Sequence, residues 1–375
     1  MSKIGINLLW LVPGQVGGSE TYTARLLSGL AERSSELDYT LFVLPQFAEA
    51  HPELASTFKT AYAPVTGQWR SFRVAGENSW LIAQCRRRNI DLLHHAGGTM
   101  PFLRGARRVL TIHDLQYLYY PEYFAGMKLR FLKAMVPRSS EAARLVLTPS
   151  EFTRRTVIER LNIDPSIVVS VPHGVSPREG RQQTGSIREL YDLSGPYFLF
   201  PAITYPHKNH LVLLKGFAKL LKHHPQVTLI LTGGKGSMEV RVASEIRELG
   251  IESQVRRLGH VPSDDLDAMY RDAVALVFPS RFEGFGAPVL EAMSFGCPVI
   301  ASNSTALPEV VGEAGMLLSA DNDEEWAGSM RELLEDEEMR SQLSKLGSER
   351  ARGFTWTRSA DVLEEAYRFA LETAL

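Results

Sequence analysis

The chain alternates short apolar runs, rich in Val, Ile and Leu, with longer segments in which apolar residues recur every three or four positions. Short apolar runs indicate strands that are buried on both faces, and the periodic segments indicate helices that cover those faces. The alternation predicts an α/β fold of parallel, doubly wound sheets. The predicted strands are 3–11, 39–45, 91–96, 108–114, 144–150, 167–172, 196–202, 227–234, 254–261, 274–280 and 298–302.

The segment SPREGRQQTGSIRELYDLSG (176–195) interrupts the alternation, because it is polar, contains glycine and has few large apolar residues. Segments of this composition connect domains, and 375 residues exceed what one core usually supports. We therefore predict two Rossmann-like domains, 1–176 and 177–355. A final helix over 356–375 has an apolar stripe that can pack back on the first domain or on the second.

Composition places the chain among globular proteins, with 44% hydrophobic and 22% charged residues. Two distant cysteines, Cys85 and Cys297, make neither a disulfide framework nor a metal cluster and favour a reducing compartment. The start, MSKIGINLLWLVPGQ, is typical of a first strand and not of a signal peptide. No apolar stretch reaches the roughly 20 residues of a membrane span. We expect a cytoplasmic protein.

Charge is unevenly distributed between the two halves. Residues 1–180 carry 21 Lys and Arg against 15 Asp and Glu, whereas the remainder carries 20 against 28. A basic first half and an acidic second half suit a protein whose domains meet different partners. The basic half is too weakly charged and too unpatterned for a nucleic-acid partner.

Two glutamates in SRFEGFGAPVLEAMSFG (280–296) flank a glycine turn between a predicted strand and a helix that begins at Pro288. Doubly wound sheets bind ligands at the carboxyl ends of strands, and N–H groups at helix starts attract phosphate. Carboxylates instead accept hydrogen bonds from sugar hydroxyls. The pattern suits a sugar–phosphate–sugar ligand. Alternatively, Glu283 is a solvated loop acid and Glu291 complements the helix dipole.

Three other predicted strand ends carry candidate chemistry. In PAITYPHKNH, Lys208 precedes a helix capped by Asn209, which is an arrangement for phosphate or simply a solvated lysine. In GQVGGSET, Gly17 and Gly18 allow a ligand to approach the backbone before a helix. In TIHDLQ, His113 is either a packed histidine or one that faces a cleft.

Two motifs are excluded at these positions. GQVGGSET lacks the G-x-G-x-x-G spacing, and the second strand does not end in an acid, so a dinucleotide fingerprint is absent. Asp265 and Asp267 resemble the D-x-D metal motif of some sugar transferases. They lie instead at a predicted helix start, where acids complement the dipole, and we interpret them as structural. No metal ligand is predicted.

Together these residues resemble the large retaining glycosyltransferase family 4, which has the two-domain GT-B architecture with a cleft between the domains. The E-x7-E motif is EGFGAPVLE (283–291), and AMSFGCPVIASNSTALPEVVGEAG resembles the family continuation AMACGxPVVASxxGxxPEVVGDAG. YPHKN (205–209) and LGHVPSDDLDAMYRDA (258–273) resemble its phosphate- and base-binding segments. In the first domain GGSETY, IHDLQYLYYPEYF, TPSEFTRR and VPHGV match in order.

The resemblance implies that the second domain binds an NDP-sugar donor, linked to GDP, dTDP or UDP. By position, Lys208 would contact the diphosphate, Glu283 the donor sugar and Glu291 the ribose hydroxyls. Further implied donor contacts are the turn at Gly284, Phe285 and Gly286, and the backbone at His260 and Val261.

In the first domain, the resemblance places His113 near the donor sugar, and Gly17 and Gly18 near the diphosphate or the acceptor. Glu283, His113 and Lys208 would form the catalytic set. One departure concerns Ile203, because many members carry an arginine at that position, five before the lysine. We therefore expect the second positive charge on the diphosphate to come from elsewhere or to be absent.

The resemblance also implies the chemistry. The family retains the anomeric configuration and needs no metal or other cofactor. We expect a hexose or deoxyhexose to pass to a saccharide or lipid-linked saccharide acceptor, in cell-envelope polysaccharide synthesis.

The segment FAGMKLRFLKAMVPRSS (124–140) interleaves apolar and basic residues. It is either an ordinary packed helix or a surface that rests on the anionic inner leaflet of a membrane.

Other classes of protein remain alternatives. A nucleotide-sugar epimerase or a phosphorylase would use the same architecture. An NAD-dependent oxidoreductase is disfavoured by the missing fingerprint, and a two-lobed solute-binding protein by the strand-like start of the chain.

Overall fold

A computed structural model describes residues 1–102, 106–175 and 186–372. The chain divides into two compact units: unit 1 is Met1–Gly174 with Phe354–Leu375, and unit 2 is Val175–Gly353. The predicted connecting segment lies partly outside the described residues, which exclude 176–185.

Unit 1 is built on one seven-stranded sheet. Its strands are β1 (Lys3–Asn7), β2 (Asp38–Val43), β3 (Lys59–Tyr62), β4 (Leu92–His95), β5 (Arg107–Thr111), β6 (Leu145–Thr148) and β7 (Val168–Ser170). All pairs are parallel, in the order β3-β2-β1-β4-β5-β6-β7. Its helices include α1 (Gly18–Ala31), α2 (Phe47–Ala50), α3 (Pro52–Thr57), α4 (Arg70–Asn78), α5 (Trp80–Arg88), α6 (Gln116–Tyr119), α7 (Gly126–Glu141) and α8 (Glu151–Leu161).

Unit 2 is built on a six-stranded sheet. Its strands are β8 (Tyr197–Pro201), β9 (Thr228–Thr232), β10 (Val255–Gly259), β11 (Ala275–Phe278), β12 (Val299–Ser302) and β13 (Met316–Leu318). All pairs are again parallel, in the order β10-β9-β8-β11-β12-β13. Its helices are α9 (Ile187–Leu190), α10 (His210–Leu221), α11 (Glu239–Glu248), α12 (Ser263–Asp272), α13 (Ala287–Ser294), α14 (Leu307–Val311), α15 (Asp323–Glu335) and α16 (Glu337–Ala351).

The last helix, α17 (Trp356–Glu372), returns to unit 1. Its apolar stripe, including Leu363 and Tyr367, is buried in the core that β1 and α1 also form. The hydroxyl of Tyr367 lies 2.8 Å from Nδ1 of His94, so a polar contact accompanies the apolar packing. None of the described helices is long and apolar enough to cross a membrane.

The structure confirms the predicted α/β class and the eleven predicted strands, but it contains two more, β3 and β13. Both lie at a sheet edge. β3 has one buried residue, Ala61, and β13 has only three partly exposed residues. Neither therefore produces the continuous apolar run from which the buried strands were predicted.

Candidate active site

The order in which the chain adds strands to the unit 2 sheet reverses between β8 and β11, at the centre of the sheet. From β8 the chain continues outward through β9 to β10, whereas from β11 it continues the opposite way through β12 to β13. In open α/β sheets, ligands bind outside the carboxyl ends of the two strands at such a switch point. The segments that follow β8 and β11 contain Lys208 and Glu283, respectively.

Lys208 and Glu283 form an ion pair at this point. Nζ of Lys208 donates to Oε1 of Glu283 over 2.6 Å, and the two side chains are only 17% and 13% exposed. The ammonium group also lies 5.3 Å from the ring centroid of Phe278, the last residue of β11. The structure therefore brings together the cation predicted to bind diphosphate and the acid predicted to bind the donor sugar.

Backbone contacts join the two segments that carry this pair. The carbonyl of His207 accepts a hydrogen bond of 2.8 Å from the backbone N–H of Arg281. Burial, and then the positive charge of Lys208, lower the pKa of His207 to about 4, so its ring is neutral at pH 7. Lys208 thus lies next to a neutral residue and faces one carboxylate.

Asn209 has a different role from the predicted helix cap. It stands at the N-cap position of α10 with φ 59°, but its side chain makes no capping bond. Its Nδ2 instead donates to the carbonyls of Pro279, at 3.2 Å, and Ala320, at 2.6 Å. Asn209 therefore ties the lysine segment to the end of β11, a connection that short-range sequence patterns do not reveal.

The glutamate turn is held by the segment after β12. The backbone N–H of Glu283 donates to Oγ1 of Thr305 over 2.9 Å, and the hydroxyl of Ser302 donates to the carbonyl of Ser280. Gly286 has φ 106°, and a Cβ there would lie 2.5 Å from Cδ2 of Leu307. Gly286 is therefore required both for its backbone conformation and for close packing.

Glu291 lies one turn inside α13, on the helix that the glutamate turn opens. The buried hydroxyl of Tyr270 lies 3.5 Å from its Oε2. Burial, and then the charge of Glu291, raise the pKa of Tyr270 well above its ordinary value, so the phenol stays protonated. The sequence patterns did not identify Tyr270 as a residue near the site.

The predicted base-side residues follow β10, two strands away from β8. His260 is exposed and Val261 is buried, and the preceding Gly259 has φ 67°. Ile203 follows β8 and is half-buried. These residues therefore lie at the same carboxyl edge of the unit 2 sheet as the ion pair.

The D-x-D segment lies in α12 and makes internal contacts. Oδ2 of Asp265 accepts a hydrogen bond of 2.6 Å from the hydroxyl of Tyr191, and Asp267 is buried. Among the described residues, no group of three or more His, Cys, Asp and Glu side chains is placed to hold a metal ion.

Unit 1 has its own switch point, between β1 and β4, with the glycine loop after β1. α1 begins at Gly18, with Gly17 as N-cap at φ 64° and no side-chain cap, so Ser19 lies inside the helix and does not cap it, although a serine before a helix is a common cap. Apart from chain neighbours and the backbone of α1, no heavy atom of the described residues lies within 4 Å of where a Cβ would stand on Gly17 or Gly18. Space beside this helix start is open.

His113 follows β5 and belongs to an aromatic cluster. Its ring contacts Tyr22 edge-on at 5.5 Å and Trp10 at 5.8 Å between centroids. Nε2 lies 2.9 Å from the carbonyl of Ala96, so it is the protonated nitrogen and Nδ1 is the acceptor. Burial lowers the pKa of His113 to about 4, so this ring is neutral at pH 7.

Two family models match the chain. The model described as Glycosyltransferase Family 4 matches residues 16–179, and the model described as Glycosyl transferases group 1 matches residues 188–350. Each model covers most of one unit of the structure.

Curated relatives and solved structures agree with these models. O-antigen chain mannosyltransferase B of Escherichia coli is 31% identical over 284 residues, which are 74% of each chain. D-inositol 3-phosphate glycosyltransferase of Corynebacterium jeikeium is 33% identical over 94% of this chain and 92% of its own. The structure of Anabaena Alr3699/HepE in complex with UDP-glucose matches with a TM-score of 0.77 and 20% identity, over 98% of this chain and 100% of that one.

The fold and these matches define a glycosyltransferase of the GT-B architecture. The chain belongs to glycosyltransferase family 4, the glycosyl transferases group 1, as the resemblance in the sequence predicted.

Proposed function

We propose that this glycosyltransferase moves a hexose or deoxyhexose from an NDP-sugar to a saccharide or lipid-linked saccharide, in the synthesis of cell-envelope polysaccharide. The observation that carries the proposal is the Lys208–Glu283 pair at the switch point of unit 2. A cation and a sugar-accepting carboxylate at one point suit a ligand that joins a diphosphate to a sugar. The similarity to an O-antigen chain mannosyltransferase supports the acceptor class.

In this proposal the donor replaces the internal ion pair. The diphosphate binds the ammonium group of Lys208. The released carboxylate of Glu283 accepts hydrogen bonds from hydroxyls of the donor sugar. Glu291 accepts from the ribose hydroxyls. The remaining donor contacts are proposed to be Gly284, Phe285 and Gly286 at the turn, and His260 and Val261 after β10.

The proposed reaction retains the anomeric configuration and needs no metal. Lys208 stabilises the negative charge that develops on the leaving diphosphate, which is an electrostatic contribution to the transition state. The new glycosidic bond forms on the face that the phosphate leaves, and a leaving phosphate oxygen takes the acceptor proton. His113 is assigned to the donor sugar as a neutral hydrogen-bonding group, and Gly17 and Gly18 to the diphosphate or acceptor.

The proposed membrane partner rests on α7 and α4. Met127 on α7, and Trp69 and Phe72 at the start of α4, are 86%, 67% and 61% exposed. The guanidinium of Arg70 on α4 lies 4.2 Å from the ring centroid of Phe131 on α7, which places the two helices side by side. The two helices together carry six Lys and Arg against two Glu. Exposed apolar side chains among cations suit the anionic inner leaflet and a lipid-linked acceptor.

The membrane proposal is tested by sedimentation with phosphatidylcholine vesicles that contain or lack phosphatidylglycerol. We expect binding only to the anionic vesicles, with weaker binding at high salt and in the Trp69→Ala/Phe72→Ala variant. Val240→Ser removes an equally exposed apolar side chain in unit 2 and is the matched control. Equal binding of all three proteins to both vesicles would contradict the proposal.

The transfer proposal is tested with a panel of GDP-, dTDP- and UDP-sugars, with and without a lipid-linked saccharide extract and with EDTA. We expect one donor class to release its nucleoside diphosphate only when the acceptor is present, and EDTA to have no effect. Conversion of the donor sugar without an acceptor would indicate an epimerase instead.

A further inference from the structure

Thr305 has an unusual backbone conformation. Five non-glycine residues among those that the structure describes have positive φ, and four of them are Asn or Asp. Short polar side chains tolerate this region, whereas a β-branched side chain in it is strained. Thr305, at φ 54°, is the β-branched exception.

The side chain of Thr305 makes one contact that a glycine would lack. Its Oγ1 accepts the backbone N–H of Glu283 over 2.9 Å. The segment from the end of β12 to the start of α14 also holds Ser280, through the hydroxyl of Ser302, and packs Leu307 against Gly286. This segment therefore contacts the glutamate segment at Ser280, Glu283 and Gly286. Thr305 makes the contact to Glu283.

Thr305 lies in the segment ASNSTALPEVV, between β12 and α14. A glycine would adopt the observed φ without strain. Compared with a glycine, the threonine therefore has a more strained backbone but makes a hydrogen bond to Glu283. Strained residues persist where the surroundings hold them, and they concentrate at functional sites.

We propose that Thr305 is a positioning residue: its hydroxyl fixes the backbone of Glu283, so that the carboxylate can pass from Lys208 to the hydroxyls of the donor sugar. The inference rests on the proposed function of Glu283 and adds a residue that acts through it. Loss of the contact should affect steps that depend on the sugar and not the binding of the diphosphate.

Three substitutions separate the hydroxyl from the strain. Thr305→Ser keeps the hydroxyl, Thr305→Val keeps the β-branched shape without it, and Thr305→Gly removes both hydroxyl and strain. Asn303→Gly, at an exposed position in the same turn, is the control for added backbone freedom. For each variant we would measure kcat and KM for the NDP-sugar, Kd for the free NDP and for the NDP-sugar, and the urea midpoint.

We expect Thr305→Val and Thr305→Gly to lower kcat by roughly ten- to a hundredfold, because small displacements of a positioned group are costly. Their Kd for free NDP should stay unchanged, and the preference for NDP-sugar over NDP should fall. Thr305→Ser and Asn303→Gly should stay within about threefold of wild type, and the urea midpoint of Thr305→Gly should be equal or higher.

Wild-type kcat in Thr305→Val would overturn the inference, and so would a parallel fall of kcat and urea midpoint in Thr305→Gly. The Glu283→Ala variant distinguishes a failure of the inference on Thr305 from a failure of the proposed function. If Glu283→Ala is inactive while Thr305→Val is fully active, only the role of Thr305 is wrong. If Glu283→Ala is fully active, the proposed site itself is wrong. The ratio of the Kd for free NDP to the Kd for the NDP-sugar tests the role of Thr305 in sugar binding, and this measurement needs no acceptor.

Discussion

The two units place their candidate residues at equivalent positions, beyond the carboxyl ends of strands next to a switch point, but with opposite chemistry. In unit 2 a lysine and a glutamate pair directly, because each charge compensates the desolvation of the other. In unit 1 the equivalent region holds an open glycine loop and a histidine that burial keeps neutral. One architecture therefore supports a charged site in one unit and a neutral aromatic site in the other.

This difference predicts which changes affect which ligand. Substitutions in unit 2 should alter the binding or transfer of a charged donor. The buried histidines, which both units contain, should instead make folding sensitive to acid, because neutral buried imidazoles must take up protons on unfolding.

The largest expected effect is that of Glu283→Ala. Transfer should fall by at least about a hundredfold, because the sugar loses an acceptor group that acts in the transition state. The melting temperature should fall as well, because the ammonium group of Lys208, which is only 17% exposed, loses the carboxylate that compensates its desolvation. Turnover assays with Glu283→Gln as the isosteric comparison check this, and wild-type turnover of Glu283→Ala would remove Glu283 from the site.

Lys208→Ala should weaken NDP binding by about ten- to a hundredfold, because a charge-assisted contact to the diphosphate is lost. The matched control is Lys222→Ala, which removes an exposed lysine just past the other end of α10. Calorimetric titration with the preferred nucleotide measures both variants. Equal affinities would show that the diphosphate does not contact Lys208.

Acid should destabilise both units, and unit 1 shows the reason in two neighbouring histidines of β4. Burial lowers the pKa values of His94 and His95 to about 3, whereas unfolded histidine titrates near ~6.5. Between these values the unfolded state binds more protons, so the free energy of unfolding falls by about 1.4 kcal/mol per pH unit for each histidine as pH is lowered. The stability is fully present above pH ~6.5. Glu77, whose pKa burial raises, opposes this trend by one proton.

Urea unfolding at a series of pH values between 7.5 and 5, followed by a probe in unit 1, would measure this slope. His223→Gln changes an exposed histidine of unit 2 and should leave the slope unchanged. A free energy of unfolding that does not vary over this pH range would argue against neutral buried histidines.

The smallest expected effect is an increase in NDP affinity. Ile203→Arg restores the cation that many family members carry, in a half-buried position after β8. We expect NDP affinity to increase about three- to tenfold and the increase to shrink at high salt. Ile203→Met is the control for the change in shape. If affinity does not rise, another group already supplies the second charge.

Local patterns predicted the strands because buried parallel strands give continuous apolar runs, and they led to the candidate site residues because ligands bind at strand ends. They could not predict contacts between segments far apart in the chain. The bonds from Asn209 to Pro279 and Ala320 cross 70 and 111 residues, and Asn209 looked like an ordinary helix cap. Sequence patterns did not identify Thr305, because its partner Glu283 lies 22 residues earlier in the chain and their contact is evident only in three dimensions.

The ion pair also gives the two residues separable roles. Lys208 is assigned to the diphosphate and Glu283 to the sugar, although their side chains contact each other in the structure. Removing the glutamate should release the lysine for a free nucleotide, whereas removing the lysine should abolish the diphosphate contact.

The most direct test is calorimetric titration of GDP, UDP and dTDP into wild type, Lys208→Ala and Glu283→Ala. We predict that the nucleotide that binds wild type binds Lys208→Ala at least about tenfold more weakly, and binds Glu283→Ala as tightly as wild type or more tightly. Unchanged binding to Lys208→Ala, or an equal loss in both variants, would contradict the division of roles between Lys208 and Glu283.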